Sequence, residues 1–429
     1  MSSYSNLSKQ ELTKLRDSLA SEHASFVAKE LKLNMARGKP ASAQLDLSMP
    51  LLDYMNSGAT LKAAGGDDCR NYGVLDGIAE ARELMATMLD TKAAKVIVCG
   101  NSSLKIMYDT ICGIWNFGTQ GHTPWNKLDK VKFLCPVPGY DRHFSILEQF
   151  GIEMINVEMD ENGPDVDAIS ALVATDDSIK GIWCVPKYSN PSGITYSDEV
   201  VRKLASMECA AADFRIFWDN AYTVHHLSAN AKNQDELLDI AAACFEAGNS
   251  HRYIKFASTS KVTFPGAGIA AVSACGKNLA EIKARMEIQT IGYNKINQLA
   301  HVQFLNDAKG IANHMQKHAD IISPKFDLVC EKLGAELGEI ECGSWTVPNG
   351  GYFISYDAPV GCAKRTVELC KDAGVVLTGA GATYPYGKDP KDSNIRIAPT
   401  FPPLDELSEA MDVFACCAKL AWVENLLGQ

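Results

Sequence analysis

Short runs of apolar, often β-branched residues alternate with stretches whose apolar positions recur every three to four residues. The runs at 95–99 (KVIVC), 131–135, 152–158, 179–185, 214–218, 253–256 and 269–274 predict seven strands. Between them, helical spacing predicts helices over 104–115, 140–150, from about 165, and over 197–207. The last of these carries Asp198 and Glu199 in its first turn, where the helix dipole favours acids. Asn162-Gly163-Pro164 reads as a breaker. Strand–helix alternation at this spacing means crossover units, hence an α/β fold with a mostly parallel seven-stranded sheet between layers of helices.

The flanks follow a different rhythm. Residues 5–30 predict one helix, and 295–333 a long helical pattern. Beyond it come a strand at 352–356, a helix over 363–373 ended by Gly374, strands at 375–377 and 395–398, and a final helix from Asp405. These pieces predict a smaller α+β unit. The chain therefore divides into a large domain, 51–300, and a small domain made of 1–50 and 301–429. The sequence shows no internal repeat and no low-complexity segment.

Composition narrows the class. The chain has 429 residues, 46% of them hydrophobic, enough for one large or two medium cores. A net charge of −11 argues against a nucleic-acid partner. The N-terminal stretch MSSYSNLSKQELTKL lacks the apolar segment of a leader, and no run approaches the length of a membrane span. The 14 cysteines are scattered, several of them inside apolar runs, with no C-x-x-C pair. The expectation is a cytoplasmic protein in a reducing compartment, without a metal site.

Ligands of open α/β sheets bind at the carboxyl ends of the strands, so the residues after each strand are informative. After 95–99 come Gly100-Asn101-Ser102-Ser103, small residues and hydroxyls opening a helix, the makings of a phosphate cradle. Tyr140 follows the next strand. Ser189-Asn190-Pro191-Ser192-Gly193 follows 179–185, and Asp219-Asn220-Ala221-Tyr222 follows 214–218. Ser258-Thr259-Ser260-Lys261 follows 253–256, ahead of a Pro-Gly-Ala-Gly turn. Each alone is ordinary: Ser, Asn and Asp cap helices, tyrosines pack in loops, and a lysine in a Ser/Thr loop is usually solvated. Together they offer a phosphate cradle, a flat aromatic, an amide, a carboxylate, a phenol and a lysine. A cofactor with a phosphate, a flat ring, a ring nitrogen and an aldehyde would use all of them, and pyridoxal phosphate is such a molecule.

At these motifs, SNPSG (189–193), DNAY (219–222), STSK (258–261) and NIRIAPT (394–400), the chain resembles the fold-type I pyridoxal-phosphate enzymes of the class I aminotransferase kind. The likeness runs from about Asn34 to the end. ARGKP (36–40), RNYGVLDG (70–77) and SKVTFPGAG (260–268) resemble the bacterial aspartate aminotransferase branch often labelled alanine-glyoxylate-like or MocR-like. The resemblance implies that Lys261 holds the cofactor aldehyde and, once freed, moves the Cα proton as a base. It implies Asp219 at the pyridine nitrogen, and Asn190 and Tyr222 at the ring 3-oxygen. Tyr140 would stack on the ring. Ser102, Ser103, Ser258 and Ser260 would take the phosphate, with Tyr72 reaching that of a neighbouring subunit, so a homodimer with shared sites is implied. Arg396 would grip the substrate α-carboxylate in a two-pronged contact, beside Gly38.

One departure stands out. The family usually has a phosphate-binding arginine seven or eight residues after the lysine, where this chain has Gly268 and Ile269. Arg70, Lys255 and Arg252 are candidates to replace it. The implied reaction is transfer of the amino group of L-aspartate to 2-oxoglutarate by a ping-pong route. Another amino donor, aromatic or alanine, or a C–S lyase activity, is the alternative. A DNA-binding regulator built on this fold is disfavoured, because only some thirty residues precede Asn34. A dicarboxylic substrate needs a second cation, for which Arg37 and Arg142 are candidates.

Overall fold

A computed structural model describes residues 3–428. All seven expected strands form: β1 (Val96–Val98), β2 (Lys132–Val137), β3 (Glu153–Asp160), β4 (Ile179–Cys184), β5 (Arg215–Asp219), β6 (Tyr253–Ser258) and β7 (Ala270–Ala274). They lie in the order β1-β7-β6-β5-β4-β2-β3. β7 runs antiparallel to both neighbours, and the remaining pairs are parallel. The sheet has one more piece than the sequence suggests. Gly163–Pro164, expected only to break the chain, pairs antiparallel with the end of β3. Gly163 has φ 126°, which turns the chain back on itself and is open to glycine without strain.

The sheet is covered on both faces, so β4 to β7 are buried at every position. Successive side chains of β5 point opposite ways. Phe217 joins a core with Ile111, Phe133 and Phe256, while Ile216 and Trp218 join one with Val201 and Leu204. Helix Ser103–Phe117 starts at Ser102, whose hydroxyl accepts the Lys105 N–H at 3.3 Å. It ends at Gly118, φ 73°.

The two ends of the chain share another core. Helix Lys9–Val27, opened by a Ser8/Glu11 capping box, packs on the last helix, Leu404–Leu426. The same core includes a three-stranded antiparallel sheet of Ser344–Trp345, Ile354–Asp357 and Asn394–Ile397. Leu33–Asn34 pairs in parallel with Val375–Val376, inside the run expected as a strand at 375–377, and is itself too short to show in the apolar pattern. The long pattern at 295–333 is two helices, Lys295–Leu305 and Ala308–Leu333. Asn306 breaks it at φ 63°, and the Asp307 carboxylate then caps the second helix by accepting the Gly310 N–H at 2.8 Å. Helix Ala308–Leu333 buries Ile311 and Met315 in the core beside β1 and β7, and Phe326, Val329 and Leu333 in the core of the chain ends.

Two buried histidines of this region give the fold a pH limit. Burial holds His301 and His318 down at about 4, against an ordinary 6.5. The unfolded chain therefore binds more protons than the folded one between those values. Their contribution to stability is complete above pH 6.5 and is lost as pH falls toward 4, by on the order of a few kcal/mol per histidine. Melting temperature measured from pH 7 to 4.5 is expected to fall steeply, and His301→Gln to flatten the slope.

Candidate active site

Five parallel strands deliver their carboxyl ends to one cleft of ≈ 350 Å³. Its walls carry Arg37, Gly38, Ser102, Ser103, Tyr140, Arg142, Asn190, Asp219, Tyr222, Ser258, Ser260, Lys261 and Arg396, gathered from positions up to 359 residues apart. Tyr72 is not among them. It is 81% exposed, away from the cleft of its own chain.

At the floor, Asp219 ends β5 and is 3% exposed. Its Oδ2 lies 3.1 Å from His143 Nε2, and its Oδ1 is buried without a partner. A buried carboxylate oxygen left unpaired is costly unless a donor arrives from outside the chain. His143 itself is stacked on Trp183, ring centroids 4.3 Å apart. Sequence reading missed His143. The signal was present, since it sits three residues after Tyr140 on one helix face, but nothing local ties it to Asp219.

Lys261 lies just beyond β6, with its Nζ 4.6 Å from the centroid of the Tyr222 ring. The backbone around it is held from behind. The Lys261 carbonyl lies 3.5 Å from the Tyr352 hydroxyl, which donates to it, and 3.4 Å from His225 Nε2. Burial pushes the Tyr222 phenol well above its ordinary range and Tyr140 up to about 12, so both remain O–H donors at neutral pH. Ser258 donates to Ser260 at 3.0 Å, and Ser260 to the Asn101 carbonyl at 3.2 Å, which places both hydroxyls against the start of helix Ser103–Phe117.

Arg396 stands on the opposite wall, 7% exposed, on strand Asn394–Ile397. Nη1 donates to Asn190 Oδ1 and to Asp141 Oδ1, each at 3.3 Å, and Nη2 donates to Thr378 Oγ1 at 3.1 Å. Nε is buried without a partner. The guanidinium lies over the Phe353 ring, 4.8 Å from its centroid. A Cβ at residue 38 would stand 2.5 Å from Phe353 Cζ, so glycine there lets the backbone close over this stack. Asp141, Phe353 and Thr378 were not legible in sequence, since their relevance depends on which side chains they meet across the cleft.

The fold, too, has close counterparts. A sequence model of the family described as aspartate amino-transferase matches residues 7–429. The chain belongs to this family. It is 47% identical to an aspartate aminotransferase of Corynebacterium glutamicum, over 93% of this chain and 91% of that one. It is 48% identical to a Mycolicibacterium smegmatis sequence named only as an aminotransferase, over 99% of both. The crystal structure of an aspartate transaminase from C. glutamicum superposes with a TM-score of 0.95 at 44% identity, covering 99% of each chain.

The cleft fits the cofactor that the family resemblance implies. Asp219 Oδ1 lacks the donor that a protonated ring nitrogen supplies. Tyr140 and Ala221 line the space for a flat ring. The first amides of helix Ser103–Phe117, with Ser258 and Ser260, suit a phosphate. The three cations considered as substitutes for the family's phosphate arginine lie elsewhere. Lys255 donates to the Leu89 and Asp90 carbonyls, each at 2.9 Å, and pairs with Asp239. Arg252 is bonded to the Met207 carbonyl, and Arg70 is exposed and paired with Asp68. Among the described residues no cluster of acids, histidines or cysteines could hold a metal, and no helix is long and apolar enough to cross a membrane.

Proposed function

We propose that this protein is a pyridoxal-phosphate-dependent aminotransferase that transfers the amino group of L-aspartate to 2-oxoglutarate in two half-reactions. The observation that carries the reading is the meeting of the Lys261 amine, the unpaired oxygen of Asp219 and the Arg396 guanidinium around one cleft, in a chain of the aspartate aminotransferase family. Bound there, pyridoxal phosphate supplies an electron-withdrawing ring that makes the substrate Cα–H acidic. The protein does the rest. Arg396 holds the α-carboxylate and thereby aims the Cα–H bond. The Lys261 amine would act as the base that takes and later gives back that proton. Asp219 would pair its free oxygen with the ring nitrogen and favour the protonated ring, with His143 holding Asp219 in place. Asn190 uses its Oδ1 on Arg396, which leaves its amide to donate to the ring 3-oxygen beside the Tyr222 phenol.

Several further assignments complete the reading. Ser102, Ser103, Ser258 and Ser260 bind the phosphate. Tyr72, projecting from the surface, serves the site of a second copy in a homodimer. Residues 51–300 form the cofactor-binding unit, and 1–50 with 301–429 the unit that carries Arg396. The location is cytoplasmic, in keeping with the unpaired cysteines among the described residues.

The test is a single-turnover absorbance measurement. L-Aspartate added without a keto acid should shift the cofactor band, and 2-oxoglutarate should reverse the shift. A band unmoved by aspartate would remove the substrate assignment, and absence of any band with added pyridoxal phosphate would remove the whole reading. Arg37 and Arg142 both line the cleft, without an ion pair among the described residues. Arg37 is assigned to the distal carboxylate. Arg37→Ala should then raise the KM for aspartate about tenfold, the lower range for a charge-assisted contact, and leave alanine turnover unchanged. An equal effect on both donors would exclude that role.

A further inference from the structure

We propose that Asp141 is the resting counter-ion of Arg396, displaced by the carboxylate of each incoming substrate and restored as each product leaves. The inference rests on the assignment of Arg396 to the α-carboxylate.

Arg396 is a buried guanidinium, and such a charge needs a partner. Asp141 is the only carboxylate paired with it among the described residues. The contact is weak in kind. It is one-pronged and 3.3 Å long, where charge-assisted pairs run to ~2.7–2.9 Å and arginine favours two parallel bonds. The guanidinium is thus neutralised without being saturated, and Nε remains free. The acid also has somewhere to go. Its side chain is 32% exposed, and Asp141 is the first residue of helix Asp141–Gln149. Solvent and the positive end of the dipole of that helix stabilise its charge when Arg396 is taken by another carboxylate. A substrate carboxylate, by contrast, can use two guanidinium nitrogens at once.

Two consequences follow from competition for one cation. Asp141 lowers the affinity of every carboxylate ligand by the same factor, whatever its distal group. It also keeps Arg396 neutralised in the empty cleft, so product release does not leave a buried cation bare. Asp141 is therefore a positioning residue that acts through Arg396.

The experiment compares wild-type holoenzyme with Asp141→Asn and Asp141→Glu. The dissociation constant of maleate, a dicarboxylate that undergoes no transamination, is measured by calorimetry. The half-reaction constants for L-aspartate and L-alanine are measured by cofactor absorbance. Asp141→Asn should bind all three at least threefold more tightly, by similar factors, with a melting temperature no higher than that of the wild type. Asp141→Glu, which restores the carboxylate, should return the constants toward wild type. Unchanged or weaker binding of maleate in Asp141→Asn would overturn the proposal, as would an effect on aspartate without one on alanine. Calorimetry needs no turnover. Maleate tightening without any amino-acid response would therefore retain this inference while the aminotransferase reading fails.

Discussion

Replacing Lys261 with alanine should lower turnover of L-aspartate and 2-oxoglutarate by ~10⁴-fold or more, the upper range for removing a positioned general base. Two jobs are lost together. The chain no longer has an amine that can hold the cofactor aldehyde, and it no longer has a base facing Cα. The cleft offers no ready substitute: Arg37, Arg142 and Arg396 carry guanidinium groups, which do not deprotonate in proteins, and the one other amine, Lys39, is exposed on the loop beside Gly38 rather than at the end of β6. The fold should survive, since Lys261 takes no part in the cores and its backbone is held by Tyr352 and His225. A borohydride reductant should fix the cofactor to residue 261 in the wild type, seen as a mass increase on the peptide carrying it. It should fix none in Lys261→Ala. A variant that keeps more than a hundredth of wild-type turnover would contradict the assignment.

The second large effect is expected at Asp219. Asparagine keeps the size and one acceptor oxygen but removes the charge that faces the ring nitrogen. Removing one partner of a buried pair costs ~3–5 kcal/mol, a factor of about 10² to 10³ or more in kcat. The geometry makes the substitution awkward in a second way. His143 Nε2 already faces one oxygen of Asp219 at 3.1 Å, so the amide nitrogen of the substituted side chain would be turned toward the position of the unpaired oxygen. There it presents a donor to a donor. The cofactor absorbance band of Asp219→Asn should therefore titrate at a different pH from the wild type, besides the fall in kcat. A loss of kcat with an unaltered spectrum would place Asp219 outside the ring-nitrogen role.

Much of this was readable in the chain itself. The parallel strands are buried on both faces, so they appear as unbroken apolar runs, and their ends are where the motifs sit. Phosphate, aldehyde and ring-nitrogen groups were legible because short local motifs carry them. Ser102, Asp219 and Lys261 each follow a strand within a few residues. The residues that tune those groups were not legible. His143 reaches Asp219 across 76 positions, Asp141 reaches Arg396 across 255, and Phe353 meets Gly38 only because one backbone closes over one ring. No spacing rule encodes such meetings. The break at Asn306 escaped for another reason: the apolar period continues across it, while the cap is set by two polar residues. The three candidates to replace the phosphate arginine could not be ranked from sequence, and their side chains turn to carbonyls and acids elsewhere.

Helix Ala308–Leu333 has a thermodynamic consequence. Its first turns complete the core beside β1 and β7, and its last turns complete the core of the chain ends. Neither core can come apart while this helix stays formed and docked on both. The two cores should therefore be lost together in one cooperative transition, seen as coincident transitions by different probes.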